Sequence, residues 1–165
     1  MRRVGVRGAA LFCALAAAVV LGAALASERW GGLVPCALCL WERWPYRVAV
    51  GLSVVALVVP QRLARFMLGL VALTFVVSAG VAFLHIGVEQ HWWPSPLPEC
   101  MAPRITAGSF AERLAQMPAL PSKACEDPVY LLAWLPVSMA QMNLIASLAH
   151  AGVVSIWWGR SRGSA

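Results

Sequence analysis

At 165 residues, with 61% hydrophobic and 12% charged side chains and a mean hydropathy of +0.74, the chain carries more apolar surface than one soluble core of this length hides. A net charge of +6 raises nucleic acid as a partner, but the basic residues stand in ones and twos beside apolar runs, with no basic stretch and no patch of interleaved basic and aromatic residues. The composition excludes that class and places the chain in a bilayer.

A helix needs about 20 mostly apolar residues to cross the hydrocarbon, and four stretches between charges are candidates. The first, 8–27, lies between Arg7 and Glu28. Arg2, Arg3 and Arg7 before it and Ala24-Leu25-Ala26 near its end also fit a cleaved leader with Ser27 as the new N-terminus. Its uncharged run is longer than the about 7–15 residues of a leader's apolar region, so a retained span is expected. An outer segment, 28–43, follows and holds the stretch PCALCLWERW. The second span, 44–61, is short; helix from further back, around Leu38 to Trp44, would extend it, with Arg47 reaching the head groups and Pro60 marking its far end. The third, 66–88, lies between Arg65 and Glu89, and the fourth, 137–159, follows Pro136 and ends at Arg160.

Between the last two spans runs a long segment, 89–136, in which proline recurs from Pro94 to Pro128. Most of it is expected to be irregular and restricted. Within it, Ser109 and Glu112 form a possible capping box, and Phe110, Leu114 and Met117 share one helical face. A short amphipathic helix there either lies on the bilayer surface or packs on the bundle. The fold expected is therefore an all-α membrane protein: one domain, 1–165, built as a four-transmembrane-helix bundle with a long proline-rich loop.

Charge orients it. The N-terminus, the turn holding Arg62 and Arg65, and the tail with Arg160 and Arg162 are basic and free of acid, whereas all seven acidic residues fall on the other side. By the positive-inside rule both termini are cytoplasmic. All eight tryptophans lie at or near span ends, as an interfacial belt requires. Cys36, Cys39, Cys100 and Cys125 then face the outer compartment, which in a bacterial cell is the periplasm, where disulfides persist. Four cysteines allow three pairings; the spacing of Cys36 and Cys39 makes a local bond easy and leaves Cys100 to meet Cys125. Cys13, inside the first span, reads as a small apolar residue.

Two cysteines at CxxC spacing at a helix N-terminus suit a dithiol–disulfide pair, because the helix dipole favours thiolate, the reactive form. Arg43, four residues after Cys39, shares its helical face. It is placed to stabilise a Cys39 thiolate and to hydrogen-bond an oxygen of a bound ligand. Cys39 lies deeper than Cys36, so a partner arriving through lipid meets Cys39 and one arriving through water meets the loop cysteines.

"CALCLWER", "HWWPSPLPEC" and "WLPVSMAQMN", with the four spans, resemble the disulfide bond formation protein B (DsbB) family of bacterial inner-membrane thiol oxidases over nearly the whole chain. The resemblance implies a protein-dithiol:quinone oxidoreductase. A soluble DsbA-like periplasmic thiol oxidase is reoxidised by the loop disulfide, Cys100 with Cys125. Electrons pass to Cys36 and Cys39, and from Cys39 to a membrane quinone, ubiquinone or menaquinone, beside Arg43. So strong an oxidant needs a stronger sink, which a lipid-soluble quinone supplies. Each step is an exchange in which a thiolate attacks a disulfide sulfur, so loop mobility is expected. Glu99 beside Cys100, and Glu126 and Asp127 beside Cys125, disfavour thiolate in the loop.

His85 and His91, at the outer end of the third span, are candidates to donate to a quinone carbonyl or to relay protons. The family's histidine in this region, registered from Pro-Ser-Pro, falls on Gly87. His150 and Gln141 are expected to make interhelical hydrogen bonds, and Glu42 to pair with Arg43 or Arg47. Rival readings are a membrane metal-binding protein using the four outer cysteines for zinc or copper, and a four-helix scaffold with inert disulfides. A relative of vitamin K epoxide reductase shares the chemistry but has a different helix order and loop-cysteine arrangement.

Overall fold

The computed structural model describes residues 2–100, 109, 111, 123–131 and 134–162; the amphipathic helix expected after Ser109 lies almost wholly outside them. The described residues form α1 (Arg2–Arg29), α2 (Ala37–Trp41), α3 (Arg43–Val58), α4 (Gln61–Glu89) and α5 (Met139–Arg162), with a 3₁₀ turn at Pro98–Cys100 and isolated bridges in place of any sheet. Three helices, over Gly5–Arg29, Gln61–Glu89 and Met139–Gly159, are long and apolar enough to cross a membrane. The 16 residues of α3 extend only about 24 Å. α2 precedes it with Glu42 alone between them, so helix does begin before Trp44, as the shortness of this stretch requires.

Proline sets the α3–α4 junction earlier than the charge count placed it. Pro60 restricts the residue before it to extended backbone, and Val59 sits at φ −81°, ψ 163°. α3 therefore stops at Val58, just before the Pro60 that the sequence marks as the far end of this stretch. Pro60 caps α4, whose first turns take in Arg62 and Arg65 instead of leaving them in a connecting turn.

α4 packs against both α3 and α5, and α1 lies chiefly against α3 while also touching the other two. The core places small residues of α1 (Ala9, Ala10, Cys13, Ala17) and α3 (Ala49, Ala56) against Leu68, Val71 and Phe75 of α4 and Val154 of α5. Small side chains let helix backbones approach, which matters where lipid offers no hydrophobic gradient between helices. Cys13 is fully enclosed there, as expected. Leu15, Val19, Leu73, Val76 and Ile145 point outward.

Two helix ends position the site. At the end of α4 the chain reverses through His91, at φ 57°. The His91 N–H donates to the Val88 carbonyl at 3.1 Å and the Trp92 N–H to the Gly87 carbonyl at 2.8 Å, the paired bonds of a left-handed cap. Trp93 then folds back over Gly87 and donates from Nε1 to the Leu84 carbonyl at 3.1 Å; a Cβ at residue 87 would occupy the space of its indole. α5 opens on a capping box: Gln141 N–H donates to Ser138 Oγ at 3.3 Å while Gln141 Oε1 accepts from Ser138 N–H at 3.1 Å. Gln141 thus closes its own helix start and not an interhelical bond, because it falls only three residues after Ser138.

Candidate active site

Cys36 is the N-cap of α2, where its Sγ accepts from the Cys39 backbone N–H at 3.1 Å. The two sulfurs stand 2.7 Å apart and unbonded, Cys36 buried and Cys39 half-buried. That N–H, already aimed at Cys36, favours the charged form of the Cys36 sulfur over that of Cys39. The hydrogen bond between the two sulfurs holds the Cys36 thiol below the ordinary range against the opposing effect of burial. Cys39 is pushed up, first by that same bond and then by burial. Among the described residues no hydrogen bond joins Arg43 to Cys39, the thiolate it was expected to stabilise. Arg43 is engaged elsewhere: Nη1 donates to Glu28 Oε2 at 3.1 Å and Nη2 to Glu28 Oε1, a bidentate ion pair between the start of α3 and the end of α1.

The loop cysteines are bonded to each other, Cys100 to Cys125, and the Cys125 N–H donates to the Cys100 carbonyl at 3.2 Å. They pack with Cys36, Leu38 and Val88 in one buried cluster, and Cys36 bridges Lys123 two residues before Cys125. The loop disulfide is therefore set against the CxxC segment rather than opened to water: Cys100 is 1% exposed and Cys125 0%. It also removes both residues from any four-cysteine metal site. Cys36 Sγ, Cys39 Sγ and one His85 ring nitrogen do lie within 4.8 Å of one another. Their sulfurs are closer than the about 3.7 Å that two thiolates on one zinc require, given Zn–S of about 2.3 Å and tetrahedral angles.

On the other side of the CxxC segment is a cavity of about 260 Å³. Cys39, Glu42, Arg43, Tyr46 and Asn143 form its polar rim and Val20, Leu131 and Met142 belong to its apolar wall. Arg43 Nε is buried without a hydrogen-bond partner among the described residues, a donor left over after the Glu28 pair. Neither candidate histidine lines this cavity.

His85 is instead sealed between the cysteines and Glu42. Its Nδ1 meets Glu42 Oε1 at 2.7 Å and its Nε2 stands 3.5 Å from Cys36 Sγ. Among the described residues Glu42 does not pair with an arginine. Arg43 is taken by Glu28, and exposed Arg47 lies over the Trp44 ring at 5.2 Å, so Glu42 turns inward to His85 and to Asn143 Nδ2 at 2.8 Å. Asn143 Oδ1 accepts from the Tyr46 hydroxyl at 2.6 Å, which meets Ser147, which in turn meets Ser78. Polar side chains from α3, α4 and α5 thus form one connected chain ending at Cys36. Tyr46, Ser78 and Ser147 carry no sequence motif, and Asn143 ends the stretch "WLPVSMAQMN" without a role marked by it; their signal is only that polar groups inside apolar helices require partners. His91 is exposed at its cap. His150 does turn inward, stacking on Phe75 at 5.0 Å, with Nδ1 against the Ala146 carbonyl of its own helix.

The uncharacterized protein RP370 of Rickettsia prowazekii (strain Madrid E) is 30% identical over 132 residues, which cover 79% of this chain and 74% of that protein. No solved structure matches the chain. The family model for disulfide bond formation protein DsbB matches residues 6–157, so the chain belongs to the DsbB family.

Proposed function

We propose that this chain is a protein-dithiol:quinone oxidoreductase of the bacterial inner membrane. Membership of the family brings oxidoreductase chemistry directed at disulfide formation; the partner, the acceptor and the orientation are our reading. A DsbA-like periplasmic thiol oxidase transfers its electrons to Cys100–Cys125, the resulting loop dithiol reduces Cys36–Cys39, and Cys39 hands the pair to a quinone of the bilayer. The membrane is crossed four times, by α1, α3, α4 and α5, with both termini cytoplasmic and residues 28–43 and 89–136 outside.

One observation carries this reading: the CxxC segment lies between the two places such a relay must join. Cys36 shares a buried cluster with the loop disulfide, and Cys39 lines a cavity. The cavity is small against the about 300–1,000 Å³ of sites that enclose whole ligands, which suits a single head-group ring with its tail left in lipid. The largely apolar wall and the spare Arg43 Nε–H match a flat ring bearing carbonyl oxygens, for ubiquinone and menaquinone alike. Such a quinone supplies a two-electron, two-proton sink. Of this chain's own groups, Cys36 exchanges with the loop, Cys39 delivers electrons, Arg43 orients the acceptor and Glu28 holds Arg43.

The test mixes membrane-purified protein with a reduced DsbA-like partner and a soluble quinone analogue, following quinone absorbance. Wild type is expected to turn over. Cys39→Ser is expected to abolish quinone reduction while Cys100–Cys125 still forms; normal turnover in that variant refutes the assignment.

A further inference from the structure

An electron relay needs only sulfurs and an acceptor, so the buried pair His85 and Glu42 is unexplained by it. His85 is 2% exposed, on a helix with abundant apolar alternatives. Its environment is one-sided: a carboxylate oxygen 2.7 Å from Nδ1 and a reacting sulfur 3.5 Å from Nε2. A carboxylate only accepts hydrogen bonds, so Nδ1 carries the proton in the neutral ring and the Nε2 lone pair faces Cys36. Nucleophile, base and orienting acid in that order form the arrangement that activates serine and cysteine nucleophiles on unrelated folds. The second carboxylate oxygen of Glu42 lies 2.8 Å from Asn143 Nδ2, and both Glu42 and Asn143 line the cavity.

We propose that His85, oriented by Glu42, is the acid–base catalyst for Cys36, and that the dyad carries the Cys36 proton toward the cavity. Closing the internal disulfide breaks the S–H bonds of Cys36 and Cys39 and forms one S–S bond, releasing two electrons and two protons. The electrons leave through Cys39 to the quinone. The Cys39 proton passes to the quinone across the cavity that Cys39 lines; the Cys36 proton goes to His85 Nε2, the Nδ1 proton shifts to Glu42, and the pair is reset as that second proton leaves by the cavity side to the reduced quinone. When loop sulfurs displace Cys36 in the exchange, the same imidazole returns a proton to the departing thiolate. The proton's destination rests on the quinone reading; its capture by His85 does not.

Groups facing His85 are Cys36 and Cys39 of the CxxC segment, Glu42 at the α2–α3 junction and Glu89 of its own helix, with Lys123 of the loop facing Glu89. The test uses reduced, full-length protein in lipid nanodiscs without quinone, carrying Cys39→Ala so that Cys36 reports alone. Alkylation of Cys36 by iodoacetamide is followed by mass spectrometry from pH 5 to 9. With His85 present the pH profile is expected to show two inflections; His85→Gln and Glu42→Gln are expected to lose the lower one and to slow the neutral-pH rate by about tenfold or more, as loss of a general base does. Profiles within twofold of the parent overturn the role. Glu42→Gln is nearly isosteric and decides the matter if His85→Gln does not fold. Quinone reduction with Cys39 restored is the second arm. A shifted alkylation profile with unchanged quinone reduction overturns the path to the cavity. Absence of quinone reduction in wild type overturns the proposed function while the alkylation arm still judges the dyad.

Discussion

Arg43 and Glu28 show how a neighbour decides what a charged residue does. Helical spacing alone aimed Arg43 at Cys39, and it does reach the same cavity, but spacing along one helix says nothing of an acid arriving on another. Glu28→Gln leaves the guanidinium buried with half its fork unmatched, and is expected to lower stability by about 1–3 kcal/mol, less than a fully buried pair because Glu28 retains some exposure. Adding Arg43→Gln is expected to recover part of that loss, read by thermal unfolding of both variants as a double-mutant cycle. At the cysteines, the lowered thiol is Cys36 and the raised one Cys39. As pH rises through the range below ordinary thiols, the reduced protein is expected to label at Cys36 before Cys39, by peptide mass spectrometry; removing Cys39 by alanine takes away the donor and is expected to move the Cys36 onset upward. The Cys100–Cys125 bond and the approach of Cys36 to Cys39 are legible from spacing. The Glu42 partnership was not, because two acids and two arginines near one helix start admit several pairings and only the packing of α1 and α4 selects among them.

Among the elements, the helices of the bundle were readable from charge-free length, and their ends deviated where a local backbone rule outranked it. Pro60 cut α3 short and drew Arg62 and Arg65 into α4. The capping box expected at Ser109 and Glu112 has its acid outside the described residues, while Ser138 and Gln141 form one at the start of α5; the pattern is legible in "SMAQ", within a stretch whose apolar length marks it as span interior. His91 occupies a left-handed position that glycine and asparagine hold at least cost. His91→Gly is expected to raise stability by up to about 1 kcal/mol in a thermal scan and to leave quinone reduction intact. A loss of activity there would return His91 to the site. What charge counting could not supply is each helix's rotation about its axis, and the polar chain from Ser78 to Cys36 depends on that rotation throughout.

At the scale of the whole molecule, the loop cysteines behave unlike a bait held out to solvent. Both sulfurs lie beneath surrounding chain in contact with Cys36 and Val88. Small thiols in solvent therefore find no exposed sulfur here, and reduction of the pair requires that cover to open. Reduction of Cys100–Cys125 by dithiothreitol is accordingly expected to level off as reagent concentration rises, at the rate of cover opening; a strictly linear dependence would mean the disulfide is always within reach. On this view the specificity of disulfide formation begins in the work of lifting a lid, before any sulfur has met another.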